Sequence, residues 1–267
     1  MSKKKNCSIH QIGSMKIVGI TQARTGSTRF PKKLLETIDG RSLLEIHIEK
    51  LKQSTMLNTI IIATTNKIED DEVVQIAKDM KIKYFRGSEN DVLDRYYKAA
   101  TEVRPFGIAR FTADCPLIDP VLIDEIIENF LDKKLDYYSN ILEETYPDGQ
   151  DIEVFTFTAI ERAWKEAKIL SDREHVTPFI KKNSTFMNGS MFTSESHKSD
   201  TNYQNVRLTV DEKIDLKVIK NIIQELGVNR GWETYAKYYL NNKLASLNKN
   251  IIRNEGYKTS ITKDKKA

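Results

Sequence analysis

Lys16-Ile17-Val18-Gly19-Ile20, running into Gln22-Ala23-Arg24-Thr25-Gly26-Ser27-Thr28-Arg29-Phe30-Pro31-Lys32-Lys33, decides the fold. The first piece is a short apolar run and predicts a buried strand. The second is polar and contains one glycine, which predicts a loop at that strand's C-terminal end. Working outward, the same alternation recurs. Leu43, Leu44, Ile46, Ile48 and Leu51 follow a helical period over residues 42–52, with Ser42 as N-cap. A strand follows at 60–63, a helix at 70–80, a short strand at Tyr84-Phe85 and a helix at 91–103. Residues 108–112 read as a strand, and 120–131 as a helix with Pro120 in its first turn. Strands alternating with helices at this spacing predict right-handed βαβ units and a mainly parallel sheet, hence an α/β fold.

The pattern changes after Asp136. Residues 137–157 hold β-like pieces and the turn Pro147-Asp148-Gly149. A helix is predicted at 157–168, polar β-like fragments at 183–205, and a last strand at 206–210. Helices follow at 214–226, stopped by Gly227, and at 233–247, before a lysine-rich end. The resulting organisation is a flexible tail (1–15), one α/β domain (16–247) with an inserted β-rich arm at 137–205, and an extension (248–267). Such an arm suits packing against a second subunit.

Composition narrows the function classes. The 42 basic and 38 acidic residues leave a net charge of +4, which suits local anion sites and no nucleic-acid-coating surface. No run of about 18 apolar residues is present, so no membrane insertion is expected. The first residues carry lysines without an apolar segment, and Cys7 and Cys115 are read as unpaired, which points to the cytoplasm.

In an open parallel sheet, ligands bind outside the C-terminal strand ends. A loop there with backbone N–H groups around Gly26, and with Arg24, Arg29 and Lys33, suits a polyphosphate; a solvated basic loop is the plain alternative. It is neither a Walker A nor a G-x-G-x-x-G loop. Arg110-x-Thr112-x-Asp114 and Arg207-x-Thr209-x-Asp211 repeat one pattern at two strand ends. Period two puts each Arg, Thr and Asp on one face. Either the two aspartates hold Mg²⁺ beside a polyphosphate, or each caps the next turn or helix. Ser88 precedes a helix, where it either caps or reads a nucleobase edge. Asp151, Glu153, Arg173 and His175 are candidate sugar contacts, the alternatives being turn, strand-surface and structural hydrogen-bonding roles.

The run Ala23-Arg24-x-Gly26-Ser27-x-Arg29-x-Pro31-x-Lys33 resembles the signature of the cytidylyltransferases that make CMP-linked acidic sugars, the CMP-KDO and CMP-acylneuraminate synthetases. Residues 110–119, 146–153, 172–178, 207–215 and 248–257 are similar to the spore coat polysaccharide biosynthesis protein SpsF group within that superfamily. The resemblance implies a Rossmann-like, GT-A-type nucleotidyltransferase fold. It further implies CTP as donor, Mg²⁺ on Asp114 and Asp211, and triphosphate contacts from Arg24, Arg29 and Lys33. The nucleotide-binding set it implies also takes in Ala23, Gly26, Ser27, Ser88 and Thr112. Homodimers built through the inserted arm are implied too. Where the CMP-KDO enzymes carry Asp-Glu-Pro, this chain has Asp114-Cys115-Pro116.

The expected reaction is attack of a sugar hydroxyl or sugar phosphate on the α-phosphorus of CTP, with pyrophosphate leaving, in glycan biosynthesis. Two rivals stand beside it: a GT-A-like glycosyltransferase using a nucleotide sugar, and a non-catalytic nucleotide binder.

Overall fold

The computed structural model describes residues 15–266. The tail expected at 1–15, Cys7 included, lies outside the described residues except for Met15. The central strand β1 (Ile17–Gln22) is buried along almost its whole length, as a strand covered on both faces must be. It pairs in parallel with β4 (Thr59–Thr65) on one side and β6 (Gly107–Thr112) on the other. β5 (Lys83–Gly87) adds in parallel to β4. Beyond β6 the sheet turns mixed. β8 (Glu153–Thr156) runs antiparallel to β6, β7 (Tyr137–Ser139) antiparallel to β8, and β9 (Ser194–Ser196) parallel to β7. The seven-stranded order is β5-β4-β1-β6-β8-β7-β9; β2 (Thr37–Ile38) and β3 (Arg41–Ser42) form a separate hairpin.

Helices cover the sheet, and their starts are set by local chemistry. Ser42 and Glu45 form a reciprocal capping box on α1 (Leu43–Leu51). α2 (Asp71–Asp79) buries Val73, Val74 and Ala77. Asp91 caps α3 (Val92–Thr101), accepting from Asp94 N at 2.9 Å. Asp119 caps α4 (Pro120–Lys133), and Lys134 ends it in the left-handed region.

Residues 137–205 differ from the expected arm. Their strands β7, β8 and β9 continue the central sheet, and three helices lie between: α5 (Phe157–Glu166), α6 (Leu170–His175) and α7 (Pro178–Lys182). Tyr137, Val154 and Phe155 are fully buried, so this region shares the common core.

The strand expected at 206–210 is extended and buried but joins no ladder. It makes a single parallel bridge, Asp148 to Arg207. Its N–H groups hold the site instead: Leu208 N donates to Asp148 O at 2.7 Å and Val210 N to Asp114 O at 2.9 Å. α8 (Lys213–Leu226) ends at Gly227, whose φ of 71° suits glycine. The single helix expected at 233–247 is two, α9 (Trp232–Asn241) and α10 (Ala245–Asn248), broken where Lys243 turns left-handed. The lysine-rich end, read without structure, forms α11 (Glu255–Asp264).

Candidate active site

Thr209 Oγ1 donates to the Asp114 carbonyl at 3.2 Å, beside the Val210 N–H bond to the same oxygen. These two bonds clamp the 206–210 stretch to the residue two positions beyond β6, so Asp114 and Asp211 face one another at the C-terminal rim of the sheet. Neither caps a helix. Asp119 Oδ1 accepts from Val121 N at the start of α4, and Asp215 Oδ2 accepts from Glu212 N at the start of α8.

The loop after β1 arrives at the same rim. Asp70 is buried and pins it, accepting from Thr25 N at 2.7 Å and from Thr25 Oγ1 at 2.9 Å. Phe30 and Leu34 anchor its far end in the core. Lys33, between those anchors, reaches Asp114 Oδ2 at 2.8 Å and Asp211 Oδ1 at 2.9 Å. Arg29 contacts Asp211 Oδ1 at 2.9 Å and Glu255 Oε2 at 3.3 Å. From below, Arg207 donates to Asp211 at 3.0 Å, to Asp148 at 2.5 Å, and to both oxygens of Asp215 at 3.0 Å.

The charges shift each other's ionisation. Burial works against the Asp114 carboxylate, but the Lys33 ammonium and hydrogen bonds from Lys33 and Thr112 overcome it and hold its pKa at about 2. Burial likewise opposes the charged Lys33, and the two aspartates outweigh it, lifting its pKa above the ordinary value. Burial, with Asp151 nearby, pushes the Asp148 carboxyl up despite Arg253 and Arg207.

Around this cluster opens a cleft of ≈ 620 Å³. Gln22, Arg24, Ser27, Arg29 and Lys33 line one wall, Asp114, Asp148 and Asp211 the floor, and Glu174, His175 and α11 the opposite wall. Two carboxylates on a phosphate-sized cleft fit Mg²⁺, which takes one or two carboxylates and completes its shell with phosphate oxygens and water. The Lys33 ammonium lies between them and balances part of their charge. Among the described residues no group of three or more His, Cys, Asp or Glu is arranged to hold a metal, so the chain offers this pair and not a full protein cage.

The remaining expected residues fall in different places. Ala23 is buried where β1 ends, its N–H bonded to Ala63 O at 3.1 Å. A Cβ on Gly26 would lie 3.7 Å from Glu89, the partner of Arg24 at 3.4 Å. Ser27 Oγ accepts from Phe30 N at 3.3 Å. Thr112 sits at the end of β6, its Oγ1 3.4 Å from Cys115 Sγ. Ser88 Oγ accepts from Asp91 N at 3.0 Å and is not among the cleft-lining residues. Asp151, Glu153 and Arg173 also lie outside the lining. Asp151 accepts from Arg253 at 2.6 Å, and Glu153 is buried with Arg110, Tyr137 and Lys181. Arg173 binds Asp91 at 2.7 Å and the Trp164 and Ala167 carbonyls. His175 does line the cleft. Burial holds its pKa down at about 4, its Nε2 lies 3.1 Å from Ser260 Oγ, and Tyr257 meets the ring edge-on at 5.0 Å.

Two features of the site escaped the sequence reading. The role of Arg207 is one: the repeated pattern names the residue but gives it no partners, and a lone arginine inside the apolar stretch 206–210 must find buried ones. The wall formed by α11 is the other. Its exposed, lysine-rich sequence has no apolar period to announce a helix.

An open, mainly parallel sheet with its cleft at the C-terminal rim is the Rossmann-like arrangement of a nucleotide-binding α/β enzyme. The chain belongs to the cytidylyltransferase family, whose model matches residues 18–251. It is 43% identical over 206 residues to an uncharacterised protein of Methanocaldococcus jannaschii, covering 76% of this chain and 82% of that one. It is 32% identical over 217 residues to the spore coat polysaccharide biosynthesis protein SpsF of Bacillus subtilis, covering 79% and 88%. Among solved structures it resembles a cytidylyltransferase from Leptospira borgpetersenii, with a TM-score of 0.82 and 30% identity over 90% of this chain and all of that one. Family membership makes the protein a nucleotidyltransferase and sets aside the glycosyltransferase and non-catalytic readings.

Proposed function

We propose that the protein transfers CMP from CTP to an acidic sugar or sugar phosphate, releasing pyrophosphate, in surface polysaccharide or glycan biosynthesis. One observation carries this reading: the loop cations and the two rim carboxylates converge on one cleft through Lys33. Arg24 and Arg29 present guanidinium forks to the phosphates, and Lys33 supplies a point charge where negative charge builds on the α-phosphate and the leaving group. Asp114 and Asp211 would hold Mg²⁺, which supplies Lewis-acid stabilisation of that charge. Gln22 Oε1, buried at the cleft without a hydrogen-bond partner in the structure, is an acceptor for a donor group on the nucleotide. In-line attack by the acceptor needs no protein nucleophile, only alignment of the two reactants in the cleft. The resemblance to SpsF supports the polysaccharide setting. Exposed Ile169, Leu170 and Met187 give residues 137–205 apolar surface for the expected homodimer, which sedimentation velocity tests.

The deciding experiment has two stages. Thermal shift with Mg²⁺ and CTP, UTP, ATP or GTP should single out CTP, because a ligand that binds the folded state raises the melting temperature. Pyrophosphate release from CTP with a panel of sugar acids and sugar phosphates should then vanish in Asp114→Ala, with the circular dichroism spectrum unchanged. Full turnover in that variant would refute the metal assignment.

A further inference from the structure

Residues 252–266 follow the stretch that the family model matches, and they complete the cleft. α11 contributes Glu255, Gly256, Tyr257, Thr259, Ser260 and Lys263 to its lining. The helix is fastened at several points. Ahead of it, Arg253 donates to Asp151 at 2.6 Å and to the Tyr146 carbonyl at 3.2 Å, and Asn254 donates to Glu144 at 2.9 Å. Along it, Ser260 Oγ donates to Glu174 at 2.8 Å and lies 3.1 Å from His175, while Asp264 accepts from Ser171 N at 3.2 Å. Across the cleft, Glu255 pairs with Arg29 at 3.3 Å.

The two walls differ in chemistry. The loop wall concentrates Arg24, Arg29 and Lys33 for the triphosphate. On the α11 wall the single ammonium is Lys263, which has no ion-pair partner among the described residues, while Glu255 is answered by Arg29. The rest of that wall is uncharged or acidic: the Tyr257, Thr259 and Ser260 hydroxyls, the Asn254 amide, the His175 imidazole and the Glu174 carboxylate. One free cation set among hydroxyls and a carboxylate matches a polyol with a single anionic group and has no second cluster for another polyphosphate.

We propose that α11 is the acceptor-selecting wall of the active site, and that Lys263 receives the one anionic group, carboxylate or phosphate, of a polyhydroxylated sugar. This rests on the cytidylyl-transfer reading and adds which residues choose the acceptor.

The test compares wild type with Lys263→Glu and Lys263→Met. Three probes are assayed for pyrophosphate release from CTP: 3-deoxy-manno-octulosonate, glucose 1-phosphate and unmodified glucose. CTP affinity is measured separately by calorimetry. The wild type should turn over an anionic probe, the carboxylate and phosphate arms deciding which anion. Lys263→Glu should raise the KM for that probe about tenfold or more, the scale of one lost charge-assisted hydrogen bond, with CTP affinity within about twofold. Lys263→Met should fall between. An unchanged acceptor KM, an equal loss of CTP affinity, or turnover of neither anionic probe overturns the proposal. Failure of the wild type to bind CTP refutes the reading beneath it, and this one with it.

Discussion

Replacing Lys33 by Met tests the electrostatic core of the site without any substrate. Among the described residues the ammonium is the only group that touches both Asp114 and Asp211, and its side chain is 10% exposed against 23% and 21% for theirs. Removing one partner of a fully buried pair costs about 3–5 kcal/mol. Here the carboxylates keep some water, and Asp211 retains Arg29 and Arg207, so a loss of about 2–3 kcal/mol at pH 7 is expected. The same size follows from Asp114 alone. Its folded value of about 2 against an ordinary 3.8 corresponds to about 2–3 kcal/mol. Because that value is depressed, the contribution is complete above 3.8 and disappears as the pH falls through about 2. In the variant, burial is opposed only by hydrogen bonds such as that from Thr112, so the Asp114 pKa rises and protonation in acid relieves the variant. The stability gap between wild type and variant should therefore be widest at neutral pH and should narrow below about pH 4. Urea denaturation at several pH values, in EDTA, measures it. A gap that is the same at every pH, or absent at neutral pH, refutes the reasoning.

Gly149→Ala should destabilise by about 2–4 kcal/mol and depress turnover together, because φ is +106° and a Cβ would stand 2.6 Å from the Leu208 carbonyl carbon. Denaturation and steady-state rates on the same sample read both effects. Glu153→Gln should lose about 3 kcal/mol of stability by stranding Arg110 and Lys181, while the acceptor KM of the folded fraction stays put; a raised KM would restore the sugar-contact role. His175, with its pKa lowered to about 4, is neutral at working pH. It should add no ionisation to the rate profile between about pH 5.5 and 8, and its contribution to stability should be lost as pH falls from about 6.5 toward 4.

The first half of the fold was legible because its strands are buried on both faces and its helices are amphipathic, so each element declares its own period. The site was legible to the extent that it sits where such elements end. The loop after β1 and the residues just past β6 are rim positions in any parallel sheet, and the second Arg-x-Thr-x-Asp pointed to the rim as well. What was hidden depends on contacts between distant segments. Val206–Val210 reads as a strand from its apolar residues, yet its hydrogen bonds go to Asp148 and Asp114. Glu153 reads as an accessible acid in a polar stretch, yet β8 packs inside the sheet and buries it against Arg110. No local period encodes either outcome.

The ion pairs also explain why the rim is assembled from such distant pieces. Asp211 is held by Lys33 and Arg29 from the loop and by Arg207 from its own stretch, so three cations answer one carboxylate. Arg29 continues to Glu255, and Arg207 to Asp148 and Asp215, which Asn248 also bonds at 2.9 Å. The loop, the floor and the C-terminal segment thus share one network through Arg29 and Arg207. A triphosphate that engages Arg29 competes with Glu255 for the same guanidinium. On the proposed reading, nucleotide that draws Arg29 away would free Glu255 for the acceptor's hydroxyls, so added CTP should lower the acceptor KM in the wild type and not in Glu255→Gln.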